Sequence, residues 1–398
     1  MSRQPAQGPL LGIKILDLTR LLPGPMASQM LADMGADVIK IEDPKAPDYA
    51  RFFFPQKGGM AISYINLNRS KKSLAIDLKS EEGRKIFYQL AKEADIVLDS
   101  FRPGVLAKLQ LDYDTVKAHN PRIIYVAVTG YGQDGPYAHR AGHDLNYIGY
   151  TGMLGLNGTK ESGPVMPSVQ IADMAGGSYP TVIACLSALL ARGRTGEGQF
   201  VDVAMTDCAL PLMSMVMGDY LNFGQVYHRE EPFLSGGLAH YNLYACSDGR
   251  HVALGSLEPK FWQGFCMLIN RPEWIGRMLP QAEEVAALKK DLAALFLTKT
   301  RDEWVALAEP ADICLTPILD MDEVENNEYI RHRHLIITSE HPAYGTVKGI
   351  NQPIQFKGTP TAPAWAAAML GEDNTAILQD LGYTEEEIAR LRAAKVVV

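Results

Sequence analysis

Apolar residues in the first third of the chain come in short runs separated by helical spacings, the pattern of strands alternating with helices. Ile13 to Leu18 predicts a strand. The turn residues Pro23-Gly24-Pro25 follow, then a helical segment over Met26 to Met34 that Gly35 ends. Asp37 to Glu42 predicts a second strand, so the order is that of a βαβ unit in a parallel sheet. Further strands are expected over Ser73 to Leu78, Asp95 to Leu98 and Ile123 to Val128. Between them lie a helix capped by Ser80, with Glu81 and Glu82 in its first turn, and a helical stretch from Val105 to His119. Residues 1–130 therefore read as doubly wound α/β, with ligand groups expected at the carboxyl ends of the strands.

Beyond that point Pro180 opens a helix through Arg192, Gln199 to Met205 predicts a strand and Cys208 to Leu221 a helix. Residues 225–240 turn polar and glycine-containing. Tyr241 to Ala245 and His251 to Leu254 flank Ser247-Asp248-Gly249, a hairpin signal. Phe261 to Ala308 is mostly helical and includes the capping box Thr300-x-x-Glu303. Alternation over 335–357 predicts strands, Thr361 to Met369 reads as an Ala-rich linker, and Thr384-x-x-Glu387 caps a closing amphipathic helix. The expected organisation is a large α/β domain over 1–224, mostly parallel in its sheet, and a smaller α+β domain over 225–330. A segment over 331–398 returns to the large domain.

The net charge is −8, which removes the basic face a nucleic-acid partner needs yet leaves room for a local basic pocket. Five cysteines, odd in number and without CxxC spacing, predict free thiols in a reducing compartment and no metal site. Met1-Ser2-Arg3-Gln4-Pro5 shows no apolar signal segment. The most apolar stretches, Thr181 to Ala191 and Ala209 to Val216, are too short to span a bilayer. A cytoplasmic protein with no membrane partner is expected. The first βα turn lacks G-x-G-x-x-G, so the dinucleotide fingerprint is absent.

Candidate chemistry follows the loop Gly130-Tyr131-Gly132-Gln133-Asp134-Gly135-Pro136, which presents side chains rather than packing them. His143 and Asp144 come next, in Gly142-His143-Asp144-Leu145-Asn146-Tyr147. Asp173 lies in Ile171-Ala172-Asp173-Met174-Ala175-Gly176-Gly177, between an apolar run and a small-residue helix start. A histidine and a carboxylate at element ends suggest proton transfer. Plainer roles exist beside that one: a hydrogen-bonded structural histidine, Asp173 as a helix N-cap, Asp144 closing a turn.

Gly12 to Pro44 (GIKILDLTRLLPGPMASQMLADMGADVIKIEDP) resembles the opening of the family III CoA-transferases, the CaiB/BaiF group. The resemblance continues through Asn66 to Ser73, Phe101-Arg102-Pro103-Gly104-Val105, Gly130 to Pro136, Arg194 to Gln199 and Leu381-Gly382-Tyr383, and so covers nearly the whole chain. Within the family, Gly142 to Tyr147 is similar to the α-methylacyl-CoA racemase branch, because transferases usually carry another residue where His143 stands. Leu254 to Phe261 resembles the segment that supplies racemases with a glutamate, here Glu258. Two positions depart from the racemase pattern: Lys40 replaces a common arginine and Met174 a frequent aromatic.

What the resemblance implies is an acyl-CoA substrate, no cofactor beyond its CoA moiety, and an interlocked homodimer. The active site would lie between the large domain of one subunit and the small domain of the other. His143 and Asp173 would serve opposite faces of the carbon beside the thioester, with Asp144 orienting the histidine and Glu258 nearby. Lys40, Lys71, Arg102 and Lys108 would meet CoA phosphates or adenine. The implied reaction is racemisation of 2-methylacyl-CoA esters in lipid metabolism. The alternatives are CoA transfer between carboxylic acids through an aspartyl-CoA thioester at Asp173, and a non-catalytic CoA-ester-binding protein.

Overall fold

In the computed structural model, which describes residues 7–278, 282–362 and 365–398, the apolar runs of the first third become one parallel sheet. The expectation for Met1 to Pro5, and parts of those for Phe261 to Ala308 and Thr361 to Met369, lie outside the described residues. The strands are β1 Lys14–Asp17, β2 Asp37–Glu42, β3 Lys72–Ala75, β4 Ile96–Asp99, β5 Ile124–Thr129 and β6 Phe200–Ala204. Their order is β6-β5-β4-β1-β2-β3, with every neighbouring pair parallel. β4 and β5 are buried at every position, which is why they read as near-continuous apolar runs rather than alternating ones. The order reverses between β1 and β4, and a doubly wound sheet binds its ligand outside the carboxyl ends at that reversal.

Helix α1 (Pro23–Asp33) starts with prolines in its first turn, where no intrahelical N–H is needed. Gly24 is forced there, since a Cβ would come within 2.2 Å of the Thr19 side chain. Helix α2 (Glu81–Glu93) is capped by Ser80, whose hydroxyl accepts from Gly83 N–H at 3.0 Å. The single helix expected over Val105 to His119 is two, Val105–Lys108 and Tyr113–His119, broken where Gln110 takes φ 59°. Helix α3 is Asp144–Tyr150. The helix expected from Pro180 begins earlier. A π-helical turn, Ala172–Ser178, runs directly into α4 (Tyr179–Thr195). This joined run of 24 residues is long and apolar enough to cross a membrane by length and composition, unlike the shorter stretches seen in the sequence. It packs against α1 and β5. The helix expected over Cys208 to Leu221 is also divided, into α5 (Met205–Ala209), a tight turn Leu210–Met213 containing Pro211, and Ser214–Phe223.

Packing divides the chain into two units. The first comprises Met1–Thr151, Pro167–Met213 and Arg331–Val398; the second comprises Gly152–Met166 and Ser214–Ile330. Residues 331–398 thus belong with the parallel sheet. Asp373 and Asn374 accept from the N–H groups of Ser73 and Ala75 at 2.8 Å each, covering the edge strand β3. The boundary expected at residue 225 differs, because the helix Ser214–Phe223 and residues 152–166 pack within the second unit. A polar stretch marks a loop, which is not always where packing partners change. The second unit has a three-stranded antiparallel sheet over Tyr241–Ala245, His251–Gly255 and Leu315–Pro317, with the expected hairpin, and a core centred on Trp262, Phe265, Phe296 and Trp304.

Candidate active site

A cleft of about 600 Å³ opens at the carboxyl ends of β1, β4 and β5. That volume falls in the range of small-molecule and cofactor pockets. Arg20 lines it from beyond β1, Ser100 to Pro103 from beyond β4, and Thr129 to Tyr131 from the end of β5. His143, Tyr147 and Asp173 complete the wall, so the structure brings the histidine and the aspartate to one cavity.

His143 stands exposed at the start of α3. Its backbone N–H donates to Asn146 Oδ1 at 3.0 Å, and the Tyr147 hydroxyl donates to the Gly142 carbonyl at 2.6 Å. The Tyr147 ring lies on the backbone of two glycines. A Cβ on Gly130 or Gly142 would come within 2.3 or 2.6 Å of it, so the loop closes around this ring only without side chains there. Burial, then the charge of Asp173, pushes the Tyr147 phenol up to about 12, so it stays a donor at neutral pH.

Asp173 sits in the π-helical turn, a wider helix form that recurs at functional sites. The turn fits between α1 and α5 because it is small. A Cβ on Gly176 would meet the Met205 carbonyl at 2.5 Å, and one on Gly177 would meet Pro23 at 2.9 Å. Ser178 ties it down, its hydroxyl donating to the Pro23 carbonyl at 2.8 Å with the Asp173 carbonyl at 3.1 Å. Asp144 was expected to orient His143. Its buried carboxylate instead accepts from the Asp173 backbone N–H at 3.0 Å. Burial raises the Asp173 carboxyl, the negative charge of Asp144 adds to it, and together they bring it to about 7.

Of the four basic residues expected at a phosphate, Arg102 is exposed and lines the cleft, while Lys108 is exposed outside it. Lys40 and Lys71 require correction, because both are buried and bonded internally. Lys40 Nζ donates to the Thr19 carbonyl at 2.7 Å and lies 3.6 Å from Asp48. Lys71 Nζ spends its three protons on the Pro25 carbonyl at 2.9 Å, Asn68 Oδ1 at 2.8 Å and Asp17 Oδ2 at 3.2 Å. They work from beneath, under the turn that carries Arg20. Asp17 accepts from Thr19 N–H at 2.9 Å, Asp48 from Leu21 N–H at 3.0 Å, and Ser100 Oγ from Arg20 N–H at 3.0 Å. Burial opposes ionisation of Asp17, but the charges of Lys71 and Lys40 outweigh it and hold the carboxyl at about 2. Burial lowers the Lys71 ammonium to about 7, so its charge is only partly present at neutral pH. Replacing it with methionine should leave the Asp17 carboxylate to Lys40, Ser28 and Thr19. The unfolding free energy, read from denaturant titration, should fall by less than the roughly 3–5 kcal/mol of a fully broken buried pair.

Two cleft arginines escaped the sequence reading. Arg20 lies over the Phe101 ring at 4.9 Å, and Arg140 lies over the Tyr137 ring at 3.9 Å while donating to the Tyr150 hydroxyl at 3.0 Å. Arg20 carried a signal, standing just beyond the carboxyl end of β1; Arg140, a loop residue, carried none. Glu258 is exposed in the second unit, immediately before the helix Pro259–Leu268.

A cleft lined by Arg20, Arg102 and Arg140 at the reversal of a parallel sheet, with a carboxyl and an imidazole in its wall, is where an α/β enzyme of this build holds a small molecule. Residues 10–374 match the model of CoA-transferase family III, and the chain belongs to that family. It is 32% identical over 392 residues to "Alpha-methylacyl-CoA racemase" of Homo sapiens, covering 98% of this chain and 97% of that one. It is 31% identical to "Succinyl-CoA:glutarate CoA-transferase", also of Homo sapiens, over 98% of this chain and 90% of that one. The crystal structure of a CAIB/BAIF family protein from Brucella suis superposes with a TM-score of 0.82 at 32% identity, over 94% of this chain and 100% of that chain.

Proposed function

We propose that the protein is an α-methylacyl-CoA racemase that inverts 2-methylacyl-CoA thioesters by moving one proton at C2. The observation that carries this reading is Asp173, a carboxyl brought to about 7 in the cleft that His143 also lines. An ordinary aspartate, near 3.9, would almost never hold a proton at neutral pH. One near 7 is able both to take a proton and to give one, which racemisation asks of the group on each face of the carbon. One of the pair removes the C2 proton, the electrons pass onto the thioester oxygen as an enolate, and the other returns a proton from the opposite face. Arg20, Arg102 and Arg140 would meet the CoA phosphates and adenine, and no further cofactor is required. The same reading carries an interlocked homodimer, in which Glu258 reaches the site across the subunit boundary, and a cytoplasmic location.

A second reading, CoA transfer between carboxylic acids with Asp173 as nucleophile, is favoured by the near-equal identity to a racemase and to a transferase. His143 in the same cleft, a second proton-exchanging group that transfer does not need, weighs toward the first. Incubating one enantiomer of a 2-methylacyl-CoA without any acceptor acid separates them. Conversion to a mixture of both enantiomers is expected; an unchanged enantiomer that loses CoA only when an acid is added would overturn the proposal.

The pH dependence follows from the same group. In the direction in which Asp173 is the base, kcat/KM should fall as pH drops through about 7, because the carboxylate form disappears. In the reverse direction the proton sits on Asp173 and His143 is neutral, a form with the same total number of protons, and the equilibrium between the enantiomers does not depend on pH, so both enantiomers should show the same acid limb. A kcat/KM that stays flat as pH drops through about 7 would count against the assignment.

A further inference from the structure

Two of the cleft arginines rest on one short turn beyond β4. Ser100 Oγ accepts from Arg20 N–H at 3.0 Å, the Phe101 ring lies 4.9 Å from the Arg20 guanidinium, and Arg102 is the next residue. The turn is pinned at its middle, where Phe101 N–H donates to Asp99 Oδ1 at 2.7 Å. Its far side closes where Val105 N–H donates to the Arg102 carbonyl at 3.1 Å. Asp99 itself is not in the cleft wall, which begins at Ser100, so proton transfer at the substrate does not use it.

Asp99 is costly where it stands. It is the last residue of β4, paired in register with Ala127, and is 7% exposed. Among the described residues no cation pairs with it, and the Phe101 N–H is its one donor. The titratable group beside it is Tyr125 of β5, whose hydroxyl is committed to the Leu111 carbonyl at 2.9 Å. Burial raises the Asp99 carboxyl, the Phe101 bond opposes it, and the balance is about 7. Burying an ionisable group without a counter-charge costs stability, and a β-branched apolar residue would suit the end of a buried strand better. What Asp99 supplies in return is an acceptor oxygen aimed at the turn, and that oxygen accepts whether or not the carboxyl is protonated.

We infer that Asp99 is a positioning residue for ligand binding: its bond to Phe101 N–H fixes the turn in the shape that aims Arg20 and Arg102 at the anionic part of the ligand. The inference rests on the acyl-CoA reading above, in which that part is the CoA phosphates. It gives Asp99 an effect on binding and none on the proton-transfer step, because His143 and Asp173 stand at α3 and in the π-helical turn, which this bond does not hold.

Three substitutions in the full-length protein test it. Asp99→Val and Asp99→Thr have nearly the same shape and differ in one hydroxyl, which can accept from the N–H two residues on, though more weakly than a carboxylate. Asp99→Asn keeps the acceptor without the charge. Titrated calorimetrically, CoA should bind Asp99→Val roughly tenfold more weakly than the parent, Asp99→Thr in between, and Asp99→Asn within about twofold of the parent. The affinity of Asp99→Val should also fall less steeply with added salt, since fewer cation–phosphate contacts remain. KM for the thioester should rise in step with the CoA dissociation constant while kcat is unchanged.

Taken at a pH above the carboxyl's own value, the thermal midpoint of Asp99→Val should be no lower than the parent's, because a buried charge has been removed. Parental CoA affinity in Asp99→Val would overturn this inference alone. So would an Asp99→Asn protein that binds CoA no better than Asp99→Thr, a comparison that holds even where valine lowers the midpoint. No binding of CoA to the parent would overturn the acyl-CoA reading and this inference with it.

Discussion

Replacing Asp173 with asparagine should abolish inversion and CoA transfer together, lowering kcat by about 10²–10⁴-fold, the usual worth of a positioned acid or base. Asparagine has nearly the same shape, and the backbone N–H that donates to Asp144 is retained, so the turn has no reason to move. Stability gives the control. The folded-state carboxyl, at about 7, lies above the unfolded value near 3.9. Its protonation in the fold therefore contributes stability that is fully present below the lower value, declines as pH rises between the two and is gone above the higher one. Asparagine never ionises and escapes that loss. The variant should melt no lower than the parent at neutral pH while being inactive, and a lost fold would show as a lowered thermal midpoint instead.

Replacing His143 with alanine should be as damaging to inversion, by about 10²–10⁴-fold, yet it should spare any CoA transfer the protein performs. The two reactions differ in what they ask. Transfer through an aspartyl-CoA thioester needs the Asp173 carboxylate, whereas inversion needs a second proton-exchanging group opposite it. The His143 side chain is exposed, and the Asn146 side chain and the Tyr147 hydroxyl hold its loop through backbone groups that alanine keeps, so the substitution should leave the fold intact. Chiral separation of substrate and product, run beside a transfer assay, reads both activities from one preparation. Inversion at the parental rate in the His143→Ala enzyme would remove the histidine from the reaction.

Much of this site was legible before any coordinates. The strand and helix order placed ligand groups at the carboxyl ends of a doubly wound sheet, and Arg102, His143 and Asp173 do line the cleft there. What misled was the depth of those ends. Lys40 is on β2 and Lys71 precedes β3, positions where a cation reads as phosphate-binding, but the chain beyond β1 takes up both, Lys40 at the Thr19 carbonyl and Lys71 at the Pro25 carbonyl. Their charges are spent on Asp17 and Asp48, residues with no sequence feature linking them to either lysine.

The partner of Asp144 was equally hidden. Its neighbour in sequence is His143, but the π-helical turn, which no periodicity of 3.6 announces, brings Asp173 N–H to it. Tyr147 passed as an ordinary aromatic of the motif. Its part became visible only through the two glycines that make room for its ring. Local order is written in periodicity and turn residues, while buried charge pairing depends on which loops cross, and that is decided by the whole chain.

The central claim is that Asp173 and His143 move a proton at C2 between two faces. Its most direct measurement is the inversion of one enantiomer of a 2-methylacyl-CoA by the wild-type enzyme in D₂O, followed by proton NMR of both enantiomers after separation. The account predicts that the product enantiomer carries deuterium at C2, since its new proton comes from a group that exchanges with solvent. Inversion that leaves C2 fully protonated, or no inversion beside active CoA transfer, would contradict it.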